Sequence, residues 1–115
     1  MSEPCIFCKI AGHELETPIL YEDDLLVAFP DLNPQAPTHI LLVPKRHLAT
    51  VNELRDDHAD LLSRLLLVAP KIAKDQGIAE KGYRLVINCN EGGGQSVFHL
   101  HLHILGGRKM SWPPG

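Results

Sequence analysis

Hydrophobic and polar positions change rhythm along this chain, and the rhythm predicts the elements. "CIFCKIAG" is a short amphipathic segment of one or two helical turns ending at Gly12. "PILYEDD" and "DLLVAFPD" read as two strands of a hairpin, with Glu22, Asp23 and Asp24 as its polar turn. "NPQAPTH" holds two prolines in seven residues and is a loop. The apolar run "HILLVPK" that follows is a buried strand stopping at Pro44, with His39 and His47 near its ends. Leu61, Leu62, Leu65, Val68, Ala69 and Ile72 then recur at helical spacing, which predicts one long helix over 57–76. Asp56 or Asp57 is expected to cap its start, and Gly77 to end it in a left-handed turn. Pro70 inside it should bend the helix or leave one carbonyl unpaired. "GYRLVINCN" is another strand, "EGGGQS" a glycine-rich loop and "VFHLHLHIL" the last strand. The tail "GGRKMSWPPG" is polar and proline-rich, with an isolated Trp112. Strands joined by hairpins around one major helix predict an α+β domain with a mainly antiparallel sheet.

Composition narrows the class. A chain of 115 residues supports one domain, here 1–115, with a core that needs no disulfides. It is 44% hydrophobic and 22% charged, as soluble globular proteins are. A formal net charge of -3 argues against a general grip on a nucleic-acid polymer, though a single nucleotide needs no basic surface. No apolar run approaches a membrane span, and "MSEPCIFCKI" lacks the basic start and apolar stretch of a secretory signal. The expectation is a cytoplasmic protein without a membrane partner. Three cysteines, an odd number, fit a reducing compartment. Cys89 reads as a small residue closing a strand.

The chemistry concentrates in "SVFHLHLHILG". On a strand, residues two apart share a face at about 6.6 to 7 Å, so Phe98, Leu100, Leu102 and Ile104 should face the helix and His99, His101 and His103 the opposite side. A solvent-facing polar stripe explains three consecutive histidines poorly, with no lysine, glutamate or threonine among them. A single metal ion held by all three is strained, because the first and third lie about 13 Å apart along the strand. A third reading is phosphate chemistry: the glycines of "EGGGQS", which on their own read equally as a flexible turn, allow backbone N–H groups to form a concave nest for an anion. Ser96 adds a hydroxyl, and the histidines add a nucleophile and proton donors. Attack of an imidazole on phosphorus splits one hard displacement into two easier ones. Cys5-x-x-Cys8 has the spacing of half a zinc site; no thioredoxin-like strand precedes it, which sets a redox pair aside.

"HLHLHIL" resembles the histidine-triad signature, His-φ-His-φ-His-φ-φ with φ apolar, at every position. "AFPDLNPQAPTHILLVPKRH", "GGGQSVFHLHLHILGGR" and "WPPG" extend the resemblance to the Hint branch of the histidine-triad superfamily, from about residue 5 to the end. The resemblance implies a five-stranded α+β fold with a short N-terminal helix and one long helix, its sheet continued across a homodimer. It implies a purine nucleoside phosphoramidase that cleaves the P–N bond of adenosine or guanosine 5′-monophosphoramidates. His101 matches the nucleophile that becomes nucleotidylated, His103 the phosphate partner and His39 a member of the triad's hydrogen-bond network. Ser96 and the backbone of Gly94 and Gln95 match the phosphate loop, with Ser96 helping to deliver a proton to the departing amine. Asp31 matches the acceptor of both ribose hydroxyls, Leu32 and Phe29 the walls around the base, and Asn88 a polar contact near the phosphate. A neighbour must accept the second ring proton of His101, and a backbone carbonyl is one candidate.

Some branches of the superfamily complete a zinc site from such a cysteine pair with a histidine beyond the third strand and the first histidine of the motif. The matching residues are Cys5, Cys8, His47 and His99, a Cys2His2 set suited to a structural zinc. That assigns His99 to metal and leaves His101 and His103 for catalysis. No organic cofactor is implied. In the Hint branch the C-terminus reaches the partner protomer, so Trp112 and the tail should shape the leaving-group side of its site. Alternative readings are a dinucleoside polyphosphate hydrolase or nucleotidyltransferase of the same superfamily, or a nucleotide-binding regulatory protein.

Overall fold

The structure, a computed structural model, describes residues 5–115. The first four residues, part of the N-terminal segment read above, lie outside the described residues. Helix α1 spans Ile6–Ala11, followed by strands β1 (Tyr21–Glu22), β2 (Leu26–Pro30) and β3 (Thr38–Pro44). Helix α2 (Ala59–Asp75) and strands β4 (Tyr83–Val86) and β5 (Leu102–Gly106) complete the order. The strands form one five-stranded sheet in the order β1-β2-β3-β5-β4, antiparallel throughout. The α+β expectation holds, with one long helix and one short one.

Both faces of the sheet are covered, which is why β2 and β3 read as unbroken apolar runs. On one face Leu26, Ala28, Ile40, Leu42, Leu102 and Ile104 pack against α2. The helix contributes the stripe Leu65, Val68, Ala69, Ile72 and Ala73, with Leu61 partly buried beside it. On the other face Val27, Phe29, Leu41 and Val43 meet Phe7, Ile10 and Ala11 of α1. In the β3–β5 register Leu41 pairs with His103, so that histidine lies on the α1 side.

Three expectations change. The last strand is shorter than "VFHLHLHIL": β5 begins at Leu102, and Leu100 N–H donates to the carbonyl of Leu48 at 2.6 Å instead of joining the ladder. Released from strand alternation, Phe98 is 48% exposed, although Leu100, Leu102 and Ile104 are buried as expected. Neither Asp56 nor Asp57 caps α2. These residues belong to a 3-10 turn, Asp56–His58, and the His58 ring closes it by accepting the Arg55 N–H on Nδ1 at 2.9 Å. Pro70 agrees with expectation: it lies on the exposed side within α2, where it withholds the N–H that the Leu66 carbonyl would accept. The far end follows expectation: Gly77 has φ +75°, and the Gly77 and Ile78 N–H groups return to the carbonyls of Lys74 and Ala73.

Candidate active site and metal centre

Strand β3 and the segment entering β5 bring two groups of side chains to the α1 side of the sheet. The first holds Asp31, His39 and His103, whose ligand-type atoms all lie within 4.8 Å of one another. The Gln35 N–H donates to His39 Nδ1 at 3.0 Å, so the ring proton of neutral His39 sits on Nε2. From there it points to His103 Nδ1 at 2.9 Å, with Asp31 Oδ2 at 3.3 Å. His103 therefore accepts on Nδ1 and carries its own proton on Nε2, a buried atom without a partner among the described residues. Burial lowers the pKa of His103 to about 4, helped by the neighbouring His101 and His39 and opposed by Asp31. Burial also lowers that of His39, against the pull of Asp31. Both rings are neutral at physiological pH.

His101 stands next to this pair, its ring centroid 4.9 Å from that of His103. Its Nδ1–H donates to the carbonyl oxygen of His99 at 2.7 Å. The acceptor that the sequence left open is thus a backbone carbonyl two residues earlier. With the proton fixed on Nδ1, Nε2 holds a free lone pair. His101 is 6% exposed, and Phe7 packs edge-on against it at 5.1 Å.

The other predicted residues are placed as follows. Asp31 is half-buried and also accepts the Asn33 N–H on Oδ1 at 2.8 Å, so it starts a turn while facing His39. Leu32 is 87% exposed. Phe29 is 2% exposed and packs edge-on against Phe7 at 5.4 Å, so it belongs to the core on the α1 side. Ser96 is exposed, and Asn88 is half-buried beneath the glycine loop, where a Cβ on Gly93 would lie 3.8 Å from its backbone.

The glycine loop is not the nest expected of Gly94 and Gln95. Glu91–Gly93 form a 3-10 turn, and the N–H groups of Gly93, Gly94 and Gln95 donate to the carbonyls of Asn90, Glu91 and Asn90. Those donors are spent inside the turn. Gly94, at φ +88°, provides the left-handed exit. The Gln95 side chain then ties the loop down, accepting from Asn90 N–H and donating to the carbonyls of Ala49 and Val97.

The second group is Cys5, Cys8, His47 and His99, again with ligand atoms within 4.8 Å of one another. His99 Nδ1 lies 3.3 and 3.4 Å from the two thiols, and His47 Nδ1 lies 3.2 Å from Cys8 Sγ. Bonds of about 2.3 Å to sulfur and 2.0–2.1 Å to nitrogen give a tetrahedron with edges of roughly 3.3–3.8 Å, so the set fits zinc. His99, 0% exposed, donates its Nε2–H to the carbonyl of Pro44 at 2.7 Å, which turns a bare Nδ1 toward the thiols. Burial pushes the Cys8 thiol up to about 11, with the hydrogen bond and charge of Cys5 and the charge of Glu14 adding to it. A bound cation is what would turn such a thiol into a thiolate.

Clefts do not single out this region. An open cleft of about 430 Å³ between Arg46, Asn52, Arg55 and His58 contains none of the predicted residues. A second, of about 280 Å³, is lined by Pro30, Asp31, Pro34, Thr38, His39 and Gln76 and reaches the carboxylate end of the triad.

A family model described as the HIT domain matches residues 13–110. The chain belongs to the HIT family. The matched span begins after Cys5 and Cys8 and ends before Trp112. Across 110 residues the chain is 51% identical to the purine nucleoside phosphoramidase of Escherichia coli K12, covering 96% of this chain and 92% of that one. The crystal structure of a HIT family hydrolase from Legionella pneumophila has a TM-score of 0.95 at 54% identity, covering 97% of this chain and 100% of that one. A HIT family hydrolase from Clostridium thermocellum has a TM-score of 0.92 at 50% identity, covering 96% of each.

Sequence reasoning missed Phe7, whose ring contacts both His99 and His101. Its only signal was an apolar residue between the two cysteines of "CIFC". The Gln35 N–H and the His99 carbonyl, which fix the histidine tautomers, are backbone groups and leave no mark in residue types.

Proposed function

We propose that this HIT family protein hydrolyses the P–N bond of purine nucleoside 5′-monophosphoramidates through a nucleotidyl group carried on His101. The observation that carries this reading is the 2.7 Å hydrogen bond from His101 Nδ1–H to the His99 carbonyl, which keeps the single proton of the neutral ring on Nδ1 and turns the Nε2 lone pair to attack. The 51% identity to the Escherichia coli purine nucleoside phosphoramidase gives the substrate class.

In the first step the Nε2 lone pair attacks phosphorus. The P–N bond breaks, its electron pair leaves with nitrogen, and the nitrogen takes up a proton and departs as the amine. In the second step water attacks phosphorus, the P–His101 bond breaks and the nucleoside 5′-monophosphate leaves with the imidazole restored. His103, with its proton on Nε2, is suited to donate to a phosphoryl oxygen, and the exposed Ser96 hydroxyl to protonate the leaving nitrogen. Asp31 accepts the ribose hydroxyls, Leu32 covers the base and Asn88 meets the phosphate. Gly94 and Gln95 serve by shaping the turn that presents Ser96. Positioning and charge stabilisation do most of the work in phosphoryl transfer, which suits donors held on a sheet.

We assign zinc to Cys5, Cys8, His47 and His99; bound there, it supplies a closed crosslink between α1, the exit of β3 and the entry to β5, with no open position for substrate. A homodimer is supported by the edge strand β4, with Leu85 and Ile87 each 37% exposed, and by Leu66 and Leu67 on α2, 56% and 64% exposed. Three cysteines, none of them in a disulfide, suit the reducing cytoplasm. The test of the activity is turnover of adenosine 5′-monophosphoramidate beside a diadenosine polyphosphate. The first should be the better substrate, and preference for the second would make the protein a dinucleoside polyphosphate hydrolase.

A further inference from the structure

We propose that the Cys5–Cys8–His47–His99 centre positions His101, and that Phe7 is the positioning residue joining the two. The role of His101 as nucleophile rests on the phosphoramidase reading; the coupling rests on geometry alone.

His99 belongs to both sites. Its Nδ1 faces the two thiols, its Nε2–H holds the Pro44 carbonyl, and its own carbonyl takes the His101 Nδ1–H. With the ring pinned at both nitrogens, the backbone that orients His101 has little freedom. Phe7 supplies the second link. It sits between Cys5 and Cys8 on the first turn of α1, is 7% exposed, and lies edge-on to His101 at 5.1 Å, to His99 at 6.0 Å and to Phe29 at 5.4 Å.

Helix α1 has six residues, too few to hold its shape by propensity. Its position depends on burial of Phe7, Ile10 and Ala11, on the Cys8 N–H bond to Cys5 Sγ at 3.2 Å, and on what the two thiols bind. Releasing the thiols therefore loosens both restraints on His101 together: the carbonyl that fixes its tautomer and the ring that walls its side. A His101 ring free to move its proton to Nε2 loses the lone pair that attacks phosphorus.

The test is nitrogen-15 NMR of the His101 ring in zinc-loaded, chelator-stripped and zinc-reloaded protein, and in zinc-loaded Phe7→Ala and Phe7→Leu, with kcat and KM measured on each. Loaded wild type should show the Nδ1–H tautomer alone. Stripping and Phe7→Ala should each give mixed tautomers and lower kcat roughly 10–100-fold with little change in KM. Reloading should restore the wild-type signal, and Phe7→Leu should fall between. A single Nδ1–H tautomer kept in both stripped protein and Phe7→Ala overturns the proposal, as does a protein that takes up no zinc. If stripping unfolds the chain, Phe7→Ala with its zinc content verified decides alone. If wild type does not turn over phosphoramidate, the functional reading falls while the tautomer comparison still judges the coupling.

Discussion

His39 Nε2 and His103 Nδ1 lie 2.9 Å apart, and the Gln35 N–H on the far nitrogen of His39 fixes the direction in which the proton is shared. His39 thus acts through His103, keeping its proton on the buried Nε2. His39→Ala should lower kcat roughly 10–100-fold, the usual cost of removing an orienting partner, while zinc content stays unchanged. Steady-state kinetics with metal analysis on the same preparation checks it. Wild-type kcat in this variant would remove the relay from the account.

The same burial makes stability depend on pH. The unfolded chain binds protons at its histidines below about pH 6.5, whereas folded His103 refuses one until about pH 4. Its contribution is full above pH 6.5 and is lost as pH falls through that window, on the order of 2 kcal/mol once solvent screening of this half-buried ring is allowed for. His39, lowered in the same direction, adds to the trend. Urea unfolding between pH 7.5 and 4.5 should show the loss, and His103→Asn should flatten it. A wild-type profile flat over that range would contradict the burial argument.

Metal removal has its own signature. Cys8→Ala deletes a ligand close to both His47 and His99, so zinc should be lost and the melting temperature should fall by roughly 5–15 °C. Zinc affinity of the intact protein should weaken on acidification, because thiols and imidazoles must shed protons to bind. Elemental analysis and thermal melts in matched buffers measure both. An unchanged melt in zinc-free protein would reduce the four residues to a coincidence of packing.

The tail should matter for choice of substrate more than for folding. Trp112 is 81% exposed, and Arg84 holds this stretch by donating to the Ser111 carbonyl at 2.8 Å and lying 5.9 Å from the indole. Deleting residues 111–115 removes little core and should shift the ratio of kcat/KM between phosphoramidates with small and bulky amines. A large fall in melting temperature with that ratio unchanged would contradict it.

Much of this was legible from residue types. Period-two alternation places Leu102 and Ile104 against α2 and His103 opposite Leu41, because those residues lie in the ladder. The same rule fails at Phe98: two residues on, the Leu100 N–H bonds to the Leu48 carbonyl instead of joining the ladder, and the Phe98 ring is left exposed. The helical stripe from Leu61 to Ile72 was legible; the start of α2 was not, since a histidine ring closes the preceding turn where an aspartate was expected. The glycine loop misled because glycine permits a nest without requiring one, and a 3-10 turn takes the same donors. Cys5 and Cys8 lie far in sequence from His47 and His99, so spacing alone supplied only half the centre, and the resemblance supplied the rest.

The most direct measurement is mass spectrometry of protein quenched during turnover of adenosine 5′-monophosphoramidate. One nucleotidyl group should appear on the peptide containing His101 and be absent from His101→Ala, whose turnover should fall roughly 10³-fold or more. Full turnover by His101→Ala, or an adduct on His99 or His103 in its place, would contradict it.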